Sequence, residues 1–412
     1  MKPNEFLPFA SPDLGEEEIA AVTDTLRSGW LTTGTRCHEF EAEFAARVGA
    51  EHAVAVNSCT AAMHLALDAH GLSRGDYVIT TPYTFAASSE VVQYFGAIPI
   101  FVDVDPQTFN MDPKGLRACL EALAAGDRSA LPPALRDADV AGPAKAILPV
   151  HVGGLACDLD PIYEAAAQHD AFVIEDAAHA FPTQYKARPI GDTTATSVPS
   201  STCFSFYATK TLTTGEGGML VTADEAIAEQ ARMLSLHGIS KHAWNRYGES
   251  GSWHYDIVRL GYKYNLTDVA AALGLVQLRR ADEMHERRAA IAQRYSEEFK
   301  GSDALEPPSV PEMTEPSWHL YMLRLELARL NIGRGAFIDE LGRAGIGASV
   351  HFIPLHLHPF YQERYGYRPS DFPVATREYE REISLPIHST MTEGDVDRVV
   401  ETVLGIADAH RA

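Results

Sequence analysis

The 412-residue sequence predicts an α/β protein, with a large domain built on a mainly parallel sheet and a small α+β carboxyl-terminal domain. Short apolar runs alternate with helical segments from residue 52 to residue 222, which is typical of a parallel sheet. A chain of this length usually forms more than one domain. A Pro-rich stretch at residues 301–317 precedes a new strand–helix–strand pattern, which indicates a second unit.

The composition excludes several functional classes. Hydrophobic residues make up 46% of the chain and charged residues 22%, as in an ordinary globular enzyme. The formal net charge of −22 argues against nucleic acid or an anionic membrane as a partner. No apolar run approaches the roughly 20 residues of a membrane helix, and the first residues lack a signal core. The five scattered cysteines, without CxxC spacing, predict reduced thiols in a cytoplasmic protein.

The large domain is expected to span residues 1–260, including an amino-terminal arm. Its first element is an amphipathic helix at residues 15–28, with Ile19, Val22 and Leu26 on one face. Strands are predicted within residues 52–57, 76–85, 98–105, 146–151, 171–174, 202–207 and 219–222. Helices are predicted to begin at residues 58 and 160, and a surface loop is expected before residue 146.

Residues 261–412 are expected to form a linking helix and the small domain. A long helix is predicted at about residues 267–300, a strand at 319–325, a helix at 334–344 and a strand at 348–352. His351, His356 and His358 lie close together in the sequence. Prolines separate them and no set of acids or thiols is near, so no metal site is predicted.

Two residues at strand ends carry the predicted chemistry. Asp176 follows a buried apolar run, at the edge where open α/β sheets bind ligands. Lys210 follows a second apolar run and precedes a glycine-rich segment that leaves space around it. Pyridoxal phosphate needs this pair, because a lysine binds its aldehyde as a Schiff base and an Asp pairs with its protonated pyridine nitrogen. Taken singly, such an Asp is more often a helix cap and such a lysine a solvated charge; the combination favours catalysis.

Residues 173–180 and 204–218 extend these two positions into longer motifs, Val-Ile-Glu-Asp-Ala-Ala-His-Ala and Phe-Ser-Phe-Tyr-Ala-Thr-Lys-Thr-Leu-Thr-Thr-Gly-Glu-Gly-Gly. They resemble the signature of the DegT/DnrJ/EryC1/StrS family, and the resemblance extends from about residue 6 to about residue 392. It implies the aspartate aminotransferase-like fold (fold type I) and pyridoxal-phosphate-dependent transamination of sugars. Deoxygenating relatives have His where Lys210 stands, so the chain is interpreted as an aminotransferase.

The resemblance also implies the site residues. Lys210, Asp176 and His179 are the expected catalytic residues. The implied cofactor-binding set is Thr60, Ala61, Phe85, Asp176, Ala178, His179, Ser205, Lys210 and Asn265. In it, Thr60, Ala61 and Ser205 resemble phosphate ligands, and a helix start suits a phosphate, although Ser/Thr caps occur at many helices without ligands. Asn265 is expected to reach the cofactor of a partner subunit, which implies a homodimer with active sites at its interface; alternatively, it forms a cap or an Asx turn.

The substrate is predicted more broadly. Thr32 and Thr33 are candidate substrate contacts, and Lys241, Arg246, Arg259 and Lys263 form a basic set that suits a nucleotide diphosphate or is simply solvated. The expected reaction moves an amino group from an amino acid, glutamate, to a nucleotide-linked ketosugar, at carbon four, for lipopolysaccharide or natural-product biosynthesis. The alternatives are a keto-inositol, a 3-ketosugar, or a non-catalytic regulator, which would be expected to lose Lys210 or Asp176.

Overall fold

A computed structural model of the chain describes residues 6–138, 142–194, 196–239 and 255–412. Its strands, in chain order, are β1 (His52–Val56), β2 (Tyr77–Thr80), β3 (Ile98–Phe101), β4 (Ala144–Ile147), β5 (Phe172–Asp176), β6 (Gln184–Tyr185), β7 (Arg188–Pro189), β8 (Ser200–Ser205), β9 (Gly218–Thr222), β10 (Leu305–Glu306), β11 (Thr314–Glu315), β12 (Tyr321–Leu325) and β13 (Glu382–Leu385).

The α-helices of the described residues cover the sheets and form the long carboxyl-terminal elements. They are α1 (Glu16–Ser28), α2 (Thr35–Val48), α3 (Cys59–Ala69), α4 (Ala87–Tyr94), α5 (Pro113–Ala124), α6 (Leu159–Gln168), α7 (Glu225–Leu234), α8 (Asp268–Arg279), α9 (Ala281–Phe299), α10 (Arg334–Arg343), α11 (Pro359–Tyr365), α12 (Pro373–Arg381) and α13 (Glu393–Ala409).

The central sheet has the strand order β1-β9-β8-β5-β4-β2-β3. Neighbouring strands from β3 to β8 pair in parallel, whereas β9 pairs antiparallel with both β8 and β1. The predicted α/β fold with a mainly parallel sheet is therefore confirmed. Because β5 and β8 are parallel neighbours, their carboxyl ends meet at one edge of the sheet, where residue 176 lies opposite residue 203.

A second sheet, of order β10-β12-β13, has its own hydrophobic core. Side chains from α9, α10 and α13 fill this core, and Leu7 from the amino-terminal arm joins it. Residues 355–375 pack into the core of the central sheet instead, through Leu355, Tyr361 and Phe372. Each core therefore contains a segment from the other part of the chain. A domain boundary between residues 260 and 261 remains a prediction.

Two sequence predictions in the carboxyl-terminal part were wrong. The helix expected at 267–300 is interrupted at Arg280, which has φ −91° and ψ 0° and separates α8 from α9. The guanidinium of Arg280 binds Glu18 at 2.7 Å and Asp13 at 2.9 Å. Residues 348–352 form no regular strand; only Ser349 pairs, with Ser384, and the N–H of His351 binds a carboxylate side chain instead of a neighbouring strand.

Helix α1 forms where predicted, but its apolar stripe faces outward. Ile19 is 57% exposed and Leu26 53% exposed, whereas Glu18 is buried. The Glu18 carboxylate accepts hydrogen bonds from Gln277 at 2.8 Å and Arg280 at 2.7 Å. These polar contacts with Gln277 of α8 and with Arg280 determine which side of α1 is buried.

Candidate active site

Asp176 ends β5, a strand that is buried along its whole length. The side chain is 5% exposed. Its carboxylate accepts a hydrogen bond from the Ser88 hydroxyl at 2.6 Å and another from the N–H of Ala178 at 3.1 Å. Two fixed donors on a buried strand end hold this carboxylate in one orientation at the edge of the sheet.

Lys210 lies in the loop after β8, where its N–H donates to the carbonyl of Tyr207 at 2.9 Å. Its amine is 3.5 Å from Nε2 of His319. Burial lowers the pKa of Lys210 to about 8, against the opposing effects of Asp176 and Cys59. A larger share of the amine is therefore neutral near pH 8 than for an exposed lysine, as a nucleophile or general base requires.

Asp176 and Lys210 line one cavity of about 530 Å³, a volume suited to a small-molecule site. Seven of the nine predicted cofactor-binding residues line it: Thr60, Phe85, Asp176, Ala178, His179, Ser205 and Lys210. Ala61 and Asn265 are not among the described residues that line this cavity. The N–H of Ala61 donates to the Ser58 hydroxyl at 3.0 Å, since Ser58 caps α3.

The start of α3 forms one end of the cavity. A Cβ atom on Gly218 would lie 2.4 Å from the backbone of Ser58, so β9 contacts the helix start through a position that tolerates no side chain. Gly218 pairs with Ser205 at the end of β8. The hydroxyls of Ser205 and Thr60 thus lie at a helix amino terminus, whose N–H groups and dipole favour an oxyanion such as phosphate.

His179 is held as an uncharged hydrogen-bond donor. Its Nδ1 accepts the N–H of Gly153 at 3.2 Å, so its ring proton is on Nε2. Burial, followed by the charge of Lys210, keeps the pKa of His179 well below its usual value. The ring stacks on Phe352 with centroids 5.6 Å apart.

Sequence reasoning missed two histidines on the cavity wall, His319 and His351. In the sequence His319 only begins a predicted strand, and no periodicity marks it as a site residue. Among the described residues, its Nδ1 is a buried atom without a hydrogen-bond partner. Burial, then Lys210, keeps the pKa of His319 well below the usual range. The sequence around His351 suggests only a metal site, which is not predicted there. Both reach Lys210 by long-range folding, which the local sequence does not encode.

A second group of predicted residues lies outside the cavity of its own chain. The Asn265 amide donates to the Thr33 hydroxyl at 2.8 Å and accepts from Lys263 at 2.6 Å. The Thr33 hydroxyl donates to the carbonyl of Leu266 at 2.5 Å. The carbonyl of Thr32 accepts the N–H of the first residue of α8 at 3.3 Å. Thr32, Thr33, Lys263 and Asn265 therefore form one surface group.

Arg259, the other basic candidate among the described residues, does not join this group. Arg259 is paired with the buried carboxylate of Asp68, which also accepts the hydroxyl of Tyr262 at 3.1 Å. Its charge is therefore partly compensated within the chain. Lys241 and Arg246 lie outside the described residues. Within the described ranges, no cluster of three or more His, Cys, Asp or Glu side chains could hold a metal ion.

The donor set of the cavity fits pyridoxal phosphate. A fixed carboxylate, a lysine, an uncharged imidazole donor and an oxyanion-binding helix start line the same space. Phe85, on the cavity wall, is 67% exposed, which is unusual for a large aromatic and leaves its face free to cover a planar ring.

Comparisons with known proteins agree with this fit. The family model described as the DegT/DnrJ/EryC1/StrS aminotransferase family matches residues 12–404. The chain is 48% identical to the spore coat polysaccharide biosynthesis protein SpsC of Bacillus subtilis (strain 168), over 98% of both chains. It is similar to the structure of Spr1654 from Streptococcus pneumoniae in its PMP-form, with a TM-score of 0.85 and 34% identity over 98% of this chain and 99% of that one.

The structure of the sugar aminotransferase CalS13 from Micromonospora echinospora is also similar, with a TM-score of 0.80 and 30% identity over 97% of this chain and 99% of that one. No described helix has the length and apolar character needed to cross a membrane. Because the family model covers nearly the whole chain and the site carries the lysine and the aspartate, the chain belongs to the DegT/DnrJ/EryC1/StrS aminotransferase family and is a pyridoxal-phosphate-dependent aminotransferase of fold type I.

Proposed function

We propose that this aminotransferase transfers an amino group from an amino acid, glutamate, to the carbon-four ketone of a nucleotide-linked sugar. The observation that carries the proposal is the joint lining of one cavity by Lys210 and Asp176 in a chain of this family. The name of CalS13 supports a sugar as the acceptor, and that of SpsC supports a role in polysaccharide biosynthesis. Lipopolysaccharide or natural-product biosynthesis is the corresponding context proposed for this chain.

Each side of the cavity has a proposed task toward the cofactor. Asp176 pairs with the pyridine nitrogen, and Nε2–H of His179 donates to the phenolic oxygen. Phe85 and Ala178 cover the two faces of the ring. Thr60, Ala61 and Ser205 bind the phosphate at the start of α3; for Ala61 this requires the Ser58 hydroxyl, 3.0 Å away, to release its N–H. When bound, pyridoxal phosphate supplies an electron sink for a carbanion at the reacting carbon.

Lys210 is proposed to move the reacting protons. Its amine takes the proton from the α-carbon of the donor and returns a proton to the sugar carbon in the second half of the reaction. Burial supports this task, because a pKa of about 8 keeps both protonation states accessible near neutral pH. Nε2 of His319, 3.5 Å from the amine, is within hydrogen-bond distance of it when the lysine is free.

A homodimer with shared active sites is proposed for the surface group of Thr33, Lys263 and Asn265. Exposed apolar side chains adjoin this group, since Trp30 and Leu31 precede Thr33 in the same loop. A partner subunit would cover these side chains and bring Asn265 to the phosphate end of its cavity. Lys263 and the partly compensated Arg259 are proposed contacts of the nucleotide diphosphate, as are Lys241 and Arg246. All five cysteines are free thiols, which supports a cytoplasmic location.

Co-expression of two inactive variants tests the shared site. In a mixed dimer of Lys210→Ala and Asn265→Ala chains, one cavity has its own lysine and receives an intact Asn265 from the partner. Activity should therefore reappear in differently tagged, co-purified mixed dimers. If Asn265 acts within its own chain, no cavity in the mixed dimer is complete and activity stays absent.

The acceptor is identified by single-turnover reactions of protein that glutamate has converted to its aminated form. A 4-ketosugar linked to a nucleoside diphosphate should restore the lysine-bound cofactor spectrum. The matched 3-ketosugar, the free sugar and a keto-inositol should leave it unchanged. Restoration by the keto-inositol, or equally by the free sugar, would contradict the proposed substrate class.

A further inference from the structure

His351 lines the cavity of Lys210 but lies on a segment attached to the second sheet. Its Nδ1 is 2.9 Å from the Ser384 hydroxyl, and that hydroxyl donates to Oε1 of Glu382 at 2.5 Å. The other carboxylate oxygen accepts the N–H of His351 at 3.0 Å. An unbroken hydrogen-bonded chain thus connects the cavity to a carboxylate of β13.

Glu382 and Ser384 are fully buried, with 0% exposure. Among the described residues, the hydrogen-bond partners of the Glu382 carboxylate are the hydroxyl of Ser384 and the N–H of His351. Proton exchange between Glu382 and the cavity along this chain therefore passes through Ser384 and the ring of His351. Since Nδ1 is occupied by Ser384, Nε2 is the ring nitrogen left for a ligand.

We propose that His351, Ser384 and Glu382 form a proton relay that exchanges a proton with the acceptor substrate. The relay rests on the proposed function, because it assigns the proton to the carbonyl oxygen of the acceptor. That oxygen leaves as water, and both hydrogens of the water come from the incoming amino group. One of them passes through the relay, and His351 is the residue that contacts the substrate.

The number of protons is conserved both when the relay takes up a proton and when it releases one. During uptake, Nε2 of His351 takes a proton from the incoming nitrogen, the Nδ1 proton passes to Ser384, and the hydroxyl proton of Ser384 passes to Oε1 of Glu382. One proton has left the cavity, Glu382 is neutral, and His351 is uncharged in its other tautomer. During release, the same shifts run backwards and Nε2 gives the proton to the departing oxygen.

The charges around these three side chains explain why the proton must move on from His351 to Glu382. Burial and the nearby charge of Lys210 lower the pKa of His351 to about 4, so a lasting imidazolium is unfavourable. Burial raises the pKa of Glu382 to about 8 despite Ser384, the His351 N–H, Arg334 of α10 and Arg324 of β12. Tyr83, after β2, also faces this carboxylate. Glu382 is thus the member of the chain able to store a proton near neutral pH.

The test measures the tautomer of His351 directly. Holoenzyme labelled with ¹⁵N-histidine is titrated by NMR, and His351→Gln identifies the resonances. We expect the protonated nitrogen to change from Nε2 to Nδ1 as the pH rises through about 8, the pKa of Glu382. In Glu382→Gln the amide donates permanently to Ser384, so one tautomer should persist at all pH values. A wild-type tautomer that does not change with pH would overturn the relay.

Kinetics provide the second measurement. Glu382→Gln and Ser384→Ala should slow the acceptor half-reaction by about a hundredfold, the usual size of a general acid–base contribution. They should also remove its pH dependence near 8, and they should slow the glutamate half-reaction too, because its keto acid is released by the reverse of the same exchange between amino nitrogen and water. Glu378→Gln is the matched control, because it removes another buried carboxylate beside Arg324 without touching the chain.

Slowing in Glu382→Gln that keeps the pH dependence near 8 would indicate a structural role and overturn the relay, as would an acceptor half-reaction as fast as that of the wild type. If wild-type protein aminates no ketosugar, the proposed function fails. The NMR titration still decides whether a proton moves between His351, Ser384 and Glu382.

Discussion

Replacing Lys210 by methionine is expected to stabilise the cofactor-free protein at neutral pH while abolishing transamination. Burial lowers the pKa of Lys210 from 10.5 to about 8, so the charged amine is less favourable in the folded protein than in the unfolded chain. One pKa unit corresponds to about 1.4 kcal/mol, which gives a cost of about 3 kcal/mol at pH 7. Methionine has similar length and no charge, so it avoids this cost.

The pH dependence has a definite sign. Between about pH 8 and 10.5 the unfolded chain holds the lysine proton more tightly than the folded protein does. The free energy of unfolding of the wild type therefore rises with pH in this window. The stabilising contribution of this lowered pKa is fully present above the unfolded pKa of 10.5 and is lost as the pH falls through about 8. The advantage of the methionine variant should be largest below pH 8 and should shrink toward pH 10.5.

Denaturant unfolding of both cofactor-free proteins at a series of pH values measures this difference. Lys263→Met serves as the control, because Lys263 is exposed and should show no such advantage. A stability difference between Lys210→Met and wild type that is constant with pH would show that burial does not lower the pKa of Lys210. A wild type that is the more stable protein at pH 7 would contradict the lowered pKa as well.

Three further predictions concern the frame of the site. Asp176→Asn keeps the side-chain size but removes the charge opposite the pyridine nitrogen, so kcat should fall at least about a hundredfold, as measured by steady-state kinetics. Ser88→Ala removes the 2.6 Å hydrogen bond to Asp176 and should weaken cofactor binding in equilibrium dialysis by less than Asp176→Asn does. Gly218→Ala places a Cβ 2.4 Å from the Ser58 backbone and should cost about 1–3 kcal/mol in unfolding free energy. The control Gly405→Ala, at an exposed helix position with nothing within 4 Å, should be neutral or up to about 1 kcal/mol more stable.

The core of the site was predictable because its signals are local. Asp176 and Lys210 each follow an apolar run, and the runs became the neighbouring strands β5 and β8. Because the carboxyl ends of parallel strands meet at one edge of the sheet, both side chains lie at that edge. The glycine-rich segment after the lysine was expected only to leave space around it; that Gly218 also contacts the start of α3 was not predicted.

The remaining parts depend on contacts between distant segments. His319 and His351 approach Lys210 only after residues beyond 300 fold back onto the central sheet. The buried side of α1 could not be deduced from its own apolar stripe, because the contacts of Glu18 with Gln277 and Arg280 outweigh that stripe. The break at Arg280 has no proline or glycine to announce it; it lies where the Arg280 guanidinium reaches Asp13 and Glu18.

In the proposed reaction Lys210 binds the aldehyde of pyridoxal phosphate, and an amino acid displaces it. An absorbance spectrum of the purified protein with cofactor, before and after glutamate, tests this most directly, beside Lys210→Ala. We predict a visible band in the wild type that bleaches with glutamate and is absent from the variant. No band in the wild type even with added cofactor, or an identical bleaching band in the variant, would contradict it.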